Sequence, residues 1–223
     1  MVKRAFDIIF AVMCLVIASP LLLAIALAIK LDSKGPVFYR GLRVGLHGKP
    51  FRIYKFRSMV ADAERTGVSS TSETDYRVTR CGRVLRKFKL DELPQLINVL
   101  IGDMSIVGPR PEVPRFVDMY TEEERAILTI RPGITDWASI RFHNEGEIIQ
   151  ASGIKDADEA YARLIRPEKM QLQMKYVKEH NVWLDFKIIL ATALMLFSTR
   201  VGNRVSGVEG SSSSGRSATQ IPG

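Results

Sequence analysis

Asp91 and Glu92 are adjacent carboxylates in the most informative stretch of the chain, residues 82–111, which reads GRVLRKFKLDELPQLINVLIGDMSIVGPRP. Arg83, Arg86, Lys87 and Lys89 precede them, and Arg110 follows between Pro109 and Pro111. Proline on both sides restricts the backbone around Arg110 and so limits where its guanidinium points. An arginine fork matches phosphate oxygens two at a time, and a carboxylate pair can hold Mg2+ bridging a diphosphate. A carboxylate can also attack phosphorus, giving an acyl phosphate that splits one hard transfer into two easier ones. Cations around such an aspartate keep it ionised and screen it from an anionic substrate. A plainer reading makes Asp91 the N-cap of the following helix, with Glu92 complementing the helix dipole and Pro94 in the first turn, where its missing N–H costs nothing. That reading accounts for the helix but not for the cations. Phosphate chemistry therefore leads, ahead of a basic surface for lipid headgroups or nucleic acid and of a merely solvated charged face. Phe51, Tyr54, Phe56 and Phe88 form no RNA-binding signature, which sets nucleic acid behind.

Composition indicates where such groups would work. The chain has 223 residues, 32 Lys and Arg against 24 Asp and Glu, a net charge of +8 and a mean hydropathy of +0.03. A basic chain that is not hydrophilic on average must hold a concentrated apolar block, which excludes a wholly disordered polybasic protein and leaves room for a proper core. The block is residues 8–29, IIFAVMCLVIASPLLLAIALAI, without a charge. At about 1.5 Å per residue it makes roughly 33 Å of helix, enough to cross a bilayer core of about 30 Å. Ser19-Pro20 sits at its middle, where proline removes a helical hydrogen bond and predicts a bend. Both flanks are cationic, Lys3 and Arg4 before and Lys30, Lys34, Arg40 and Arg43 after, and both are drawn to the cytoplasmic side. A helix that enters, turns at Ser19-Pro20 and leaves on the same face satisfies both observations. A kinked single span and a cleaved signal peptide are the alternatives; the latter suffers from too long an apolar run and no convincing cleavage site. The Ser19 hydroxyl can satisfy a backbone group that Pro20 frees. Asp7 is either an interfacial residue or a buried polar partner. Cys14 and Cys81 form no CxxC pair, so neither a disulfide framework nor a zinc knuckle is supported, and a reducing compartment is the simplest setting.

Beyond Lys30 the pattern predicts β-prone stretches at residues 36–39, 42–45 and 51–56, separated by glycines in the manner of a small antiparallel hairpin. Residues 66–75 read as an exposed loop, and helices are predicted over 82–87 and from about 91 to 100, the second stopping at Gly102-Asp103. Thr121 and Glu124 form a capping box. Residues 156–179 are helix-prone, with Pro167 as a break or restart, and residues 183–197 are apolar enough to pack in a core or lie on a membrane surface. From residue 206 the chain reads SGVEGSSSSGRSATQIPG, with nothing to bury.

KRAFD at residues 3–7, Ser19-Pro20, Gly35-Pro36-Val37-Phe38, KFRSM at 55–59, LDELPQLINVLIGDMSIVGPRP at 90–111 and RPGIT at 131–135 together resemble the bacterial sugar transferase family. These are the monotopic phosphoglycosyl transferases that start glycan assembly on polyprenyl phosphate. The resemblance implies an α+β, mostly helical fold: an N-terminal re-entrant membrane helix hairpin over residues 1–31, then a small β-hairpin and a helical catalytic domain at the membrane interface over 32–203, and a flexible Gly/Ser-rich tail over 204–223. Starting at KRAFD, the chain resembles the minimal form without additional N-terminal membrane helices. The implied donor is a UDP-sugar and the implied acceptor polyprenyl phosphate. Asp91 is the implied nucleophile on the β-phosphate; UMP leaves, and the phosphosugar stays on Asp91 until polyprenyl phosphate takes it. Glu92 resembles the Mg2+ ligand of the catalytic pair. Arg86 and Arg110 match basic positions around the diphosphate, and Lys55, Arg57 and Arg131 are further candidates for that role. The implied setting is the cytoplasmic face of the bacterial inner membrane, among membrane lipids and without nucleic acid; a homo-oligomer is left open, as is the identity of the sugar. The competing class is a non-catalytic, membrane-anchored binding protein that recruits anionic lipid or glycan-assembly partners.

One stretch departs from the pattern. Many members continue RPGITGW and then a Gln-containing segment, whereas this chain has Asp136 in place of Gly and continues through Arg141-Phe142-His143-Asn144. Such a segment could contact nucleotide or sugar, which leaves donor specificity open. His47, His143 and His180 are scattered without metal-ligand spacing, so His143 reads as a surface or structural histidine rather than a proton carrier. Trp137 reads as a core or interface aromatic rather than a sugar platform.

Overall fold

The apolar block folds as α1 (Val2–Asp32), 31 residues long with Pro20 inside it. The structure, a computed structural model, describes residues 2–61, 63 and 75–205; the tail from residue 206 and all of the loop read at 66–75 except Asp75 lie outside them. α1 runs as one helix through Ser19-Pro20, the place at which the sequence predicts a bend. The physical reason lies at Val16. Pro20 has no N–H for the Val16 carbonyl, and Ser19 Oγ donates to that carbonyl at 2.8 Å, so the freed acceptor is satisfied without ending the helix. Among the described residues α1 is the helix long and apolar enough to cross a membrane, and little of it is buried.

The buried residues of α1 fall in two groups, Asp7 and Ala11 near its start and Ile25 and Ile29 near its end, while Val16, Ile17 and Leu23 between them are exposed. Both groups rest on the same globular body. Arg4 donates from Nη1 to Val99 O at 2.6 Å and from Nη2 to Leu100 O at 3.1 Å. Asp7, 2% exposed, accepts from Ser105 Oγ at 2.8 Å and from the Ile106 amide at 3.1 Å, which identifies it as a buried polar partner. At the far end Ile25 and Ile29 pack with Phe56 and Leu85.

The hairpin region forms two nested antiparallel pairs. β1 (Phe38–Tyr39) lies against β4 (Lys55–Phe56), and β2 (Leu42–Val44) against β3 (Pro50–Arg52), with Phe38 opposite Phe56 and Arg43 opposite Phe51. The β2–β3 turn places His47 (φ 56°) and Gly48 (φ 74°) in the left-handed region. α2 (Arg80–Lys87) starts at Thr79, whose hydroxyl accepts from the Gly82 amide at 3.0 Å. Gly82 is required there because a Cβ would meet the Ser58 carbonyl. A 3-10 turn (Leu90–Glu92) follows, then α3 (Gln95–Ile101), which ends at Gly102 with φ 99°.

Downstream, β5 (Ser105–Val107) pairs in parallel with β6 (Gly133–Thr135), a pairing that the pattern of the chain did not suggest. Between them lie α4 (Pro114–Val117) and a 3-10 helix (Glu124–Thr129) opened by the Thr121–Glu124 capping box, both of whose bonds are present. The remainder is helical: α5 (Trp137–Arg141), α6 (Glu145–Ala151), α7 (Ala157–Leu164), α8 (Arg166–Glu179) and α9 (Val182–Val205). Pro167 stands in the first turn of α8, where it starts the helix instead of breaking it. The central core joins Ala11 of α1, Phe51 and Ile53, Leu96 and Val99 of α3, Ile106 and Val107 of β5, Tyr176 and Ile188, and Trp137 packs against it as a core aromatic. Mostly helical with small two-stranded sheets is thus the observed architecture.

Candidate active site

Asp91 does not cap α3. Lys89 takes the left-handed conformation (φ 54°), the chain tightens into a 3-10 turn carrying Asp91, and the position before α3 is occupied by Pro94 without any side-chain cap. The Asp91 side chain is 7% exposed, and its Oδ1 is buried without a hydrogen-bond partner. The capping reading fails for this reason: a cap would accept from free helix N–H groups, whereas here no side chain caps α3 and Asp91 Oδ1 accepts from none. A buried, unpaired carboxylate oxygen is costly. Burial pushes Asp91 above the ordinary carboxylate range and Glu92 adds to the rise, against the pull of Lys55, Arg86 and Lys89.

Glu92 is in the opposite situation. Arg110 forks onto it, with Nη1 donating to Oε2 at 2.9 Å and Nη2 donating to Oε1, and Lys55 Nζ donates to Oε1 at 2.9 Å. Burial alone would raise Glu92, but Arg110 and Lys55 outweigh it and hold this carboxyl well below the ordinary range. Burial also pulls Lys55 below the usual lysine value, opposed by Glu92. Two backbone devices bring these groups together. Asn98 of α3 accepts from the Tyr54 amide at 2.8 Å and donates to the Arg52 carbonyl at 3.0 Å, tying the strand that carries Lys55 to the helix that follows Glu92. The end of β5 delivers Gly108-Pro109-Arg110 to the same place.

The cations read from the sequence divide. Arg110 and Lys55 meet at Glu92, and Arg86, whose Nη1 is buried and unpartnered, is near enough to favour the charged form of Asp91. Arg57 and Arg131 are committed elsewhere. Arg57 donates to Ser33 O at 2.7 Å and Lys34 O at 2.6 Å, capping the end of α1, and Arg131 Nε donates to Gly102 O at 3.1 Å, at the end of α3. His143 bonds the Ile140 carbonyl through Nδ1 at 3.2 Å. Gln95, at the start of α3, is fully buried with neither side-chain amide atom partnered. One residue not singled out as a site member joins the site. Asp136 accepts from the Arg110 amide at 3.3 Å, a contact made across parallel strands that no local pattern reveals.

No group of three or more His, Cys, Asp and Glu side chains that could hold a metal occurs among the described residues. Mg2+ ordinarily takes one or two carboxylates and completes its shell with water and substrate phosphate. The remaining lone pair of Glu92 Oε2, which accepts only from Arg110, is a donor of that kind, so Glu92 fits the role of a carboxylate ligand to Mg2+.

Comparison with known proteins leads in the same direction. The sequence profile of the family described as bacterial sugar transferase matches residues 1–199. A UDP-N-acetylgalactosamine-undecaprenyl-phosphate N-acetylgalactosaminephosphotransferase of Aeromonas hydrophila is 42% identical over 194 residues, 86% of this chain and 42% of that protein. A UDP-glucose:undecaprenyl-phosphate glucose-1-phosphate transferase of Escherichia coli is 38% identical over 88% of this chain and 40% of its own length. One of the same name from Caulobacter vibrioides is 40% identical over 88% of this chain and 70% of its own. The chain spans less than half the length of the first two relatives. With the family profile matched over residues 1–199, the chain belongs to the bacterial sugar transferase family.

Proposed function

We propose that this protein transfers a sugar 1-phosphate from a UDP-sugar to polyprenyl phosphate through a covalent intermediate on Asp91. The observation that carries the proposal is the buried Asp91 oxygen without a hydrogen-bond partner, set among Lys55, Arg86 and Lys89. Such an oxygen is a poor structural element and a good nucleophile, since nothing must be broken for it to attack. An Asp91 oxygen forms a bond to the β-phosphorus of the donor while the bond from that phosphorus to the bridging oxygen breaks, and UMP leaves with that oxygen. An oxygen of polyprenyl phosphate then attacks the same phosphorus, the acyl–phosphate bond breaks, and the Asp91 carboxylate is restored beside a polyprenyl-diphosphate-linked sugar. Arg86, with its unpartnered Nη1, and the N–H groups of Arg110 not used by Glu92 offer donors for the charge on the non-bridging oxygens, and Lys55 keeps Glu92 ionised and in place. Glu92 would hold Mg2+, which would supply further neutralisation of the diphosphate. The names of the relatives support the donor and acceptor classes.

The anchor fits this chemistry. The acceptor carries its phosphate at headgroup level while the donor arrives from water, so the site belongs at the interface. We read α1 as re-entrant, dipping into one leaflet and returning to the cytoplasmic face of the inner membrane. The packing of both its ends on one globular body, with the apolar middle exposed, supports that reading. The functional test is UMP release from UDP-sugars with Mg2+ and polyprenyl phosphate present. Wild type is expected to release UMP and Asp91→Asn to lose at least about a thousandfold in rate while still partitioning into membranes. UMP release by Asp91→Asn near the wild-type rate would defeat the covalent mechanism.

A further inference from the structure

Arg110 serves a diphosphate only if its fork is delivered to a fixed place, and the flanking prolines restrict the backbone without anchoring the Arg110 peptide to anything. The anchor comes from the parallel strand pair. β5 runs from Val107 into Gly108-Pro109-Arg110, β6 runs from Thr135 into Asp136, and Val107 lies opposite Thr135. Gly108 N donates to Thr135 O at 3.1 Å and Gly133 N donates to Pro109 O at 2.9 Å. The backbones approach so closely that a Cβ on Gly133 would lie 2.1 Å from Gly108 N. Parallel strands end on the same side, so Asp136 emerges next to Arg110.

Asp136 is 1% exposed, and its carboxylate serves three donors from three parts of the fold. Oδ1 accepts from the Ser139 amide at 2.6 Å, capping α5, and Oδ2 accepts from the Arg110 amide at 3.3 Å and from Nε2 of the fully buried Gln173 of α8 at 3.1 Å. An N-cap needs only the first oxygen. The second is committed to the peptide of the arginine that forks onto Glu92, and Gln173 holds it in that orientation.

We propose that Asp136 is a positioning residue for donor binding: by holding the Arg110 N–H it sets the reach of the Arg110 guanidinium toward Glu92 and the diphosphate. It acts through Arg110 and touches no substrate. The proposal rests on the functional reading above and assigns work to a residue that departs from the family pattern. A merely structural Asp136 would weaken the fold when lost, to the same extent whether or not Arg110 kept its fork.

A double-mutant cycle separates the two cases. Asp136→Ser keeps a hydroxyl for the Ser139 amide and withdraws the oxygen from Arg110. Asp136→Asn keeps the shape, but once its carbonyl caps α5 its NH2 faces the Arg110 N–H, donor against donor. Each is combined with Arg110→Ala in the full chain in lipid nanodiscs, with UMP release and UDP binding by calorimetry as readouts. Either Asp136 variant alone is expected to lower kcat/KM and UDP affinity about tenfold, and each double variant to match Arg110→Ala within about twofold. Effects that multiply with Arg110→Ala, or an Asp136 variant indistinguishable from wild type, would overturn the assignment of Asp136 alone. A wild type that neither binds UDP nor releases UMP would instead overturn the functional reading on which it rests.

Discussion

Asp91 and Glu92 are sequence neighbours whose protonation is displaced in opposite directions, and the cause is what faces each. Arg110 and Lys55 hydrogen-bond Glu92 and keep it ionised, whereas Asp91 Oδ1 has no donor and burial prevails. The nucleophile must be ionised to attack, so kcat/KM for UMP release is expected to rise with pH through the raised Asp91 value. The acid limb of the pH–rate profile should then lie above the ordinary aspartate value of about 3.9. The same shift has a sign for stability. A carboxyl raised in the folded state is ionised more easily in the unfolded chain, so it weakens the fold at neutral pH, and Asp91→Asn should stabilise while it inactivates. A gain of about 1 kcal/mol would raise the thermal midpoint by about 2–4 °C, measurable by scanning fluorimetry. Glu92 has the reverse sign. Its contribution is full above its unfolded value of about 4.3 and is lost as pH falls through the depressed folded value. Asp91, Glu92 and Arg110 were legible as side-chain types gathered within residues 82–111, whereas Lys55 was suggested only by the resemblance to the family. Arg57 and Arg131 were legible only as cations, since the carbonyls they reach, at Ser33, Lys34 and Gly102, are left open by tertiary packing.

α1 is joined to the elements that carry the site. Arg4 bonds the last carbonyls of α3, the helix that follows Asp91-Glu92, and Asp7 bonds β5, the strand that leads to Arg110. Lys3 Nζ adds bonds to Val107 O at 3.1 Å and to Asp185 of α9 at 2.6 Å. Arg4→Met removes two charge-assisted bonds and leaves the Leu100 carbonyl without that donor, while Val99 O keeps the Gly102 amide, so a loss of about 2 kcal/mol is expected in chemical denaturation, with the chain still membrane-bound. An unchanged denaturation midpoint would show the contact to be incidental. Local signals located several helix limits: the Thr121–Glu124 box, Gly102 and Pro167 act where their chemistry predicts, whereas the Thr79 cap starts α2 two residues before the predicted helix. The β5–β6 pairing escaped because strands of three residues, far apart in sequence, carry no period of their own. The capping role read for Asp91 failed because the left-handed Lys89 lets the chain tighten before α3 begins.

Across the whole molecule the net charge of +8 and the near-neutral mean hydropathy separate in space. Apolar weight is concentrated in the exposed middle of α1, while cations flank that helix and surround the carboxylate pair. A re-entrant anchor requires both flanks of α1 on one side of the membrane. Cysteines placed at Val2 and at Lys34 are therefore expected to react with an impermeant maleimide only from the cytoplasmic side, and labelling from opposite sides would establish a simple span. The central claim, covalent transfer through Asp91, is tested most directly by intact-mass analysis of the protein given UDP-sugar and Mg2+ without polyprenyl phosphate. The expected result is one phosphosugar adduct mapping to Asp91, formed together with UMP and discharged when polyprenyl phosphate is added. UMP release that begins only once polyprenyl phosphate is present, with no adduct at any time, would contradict it.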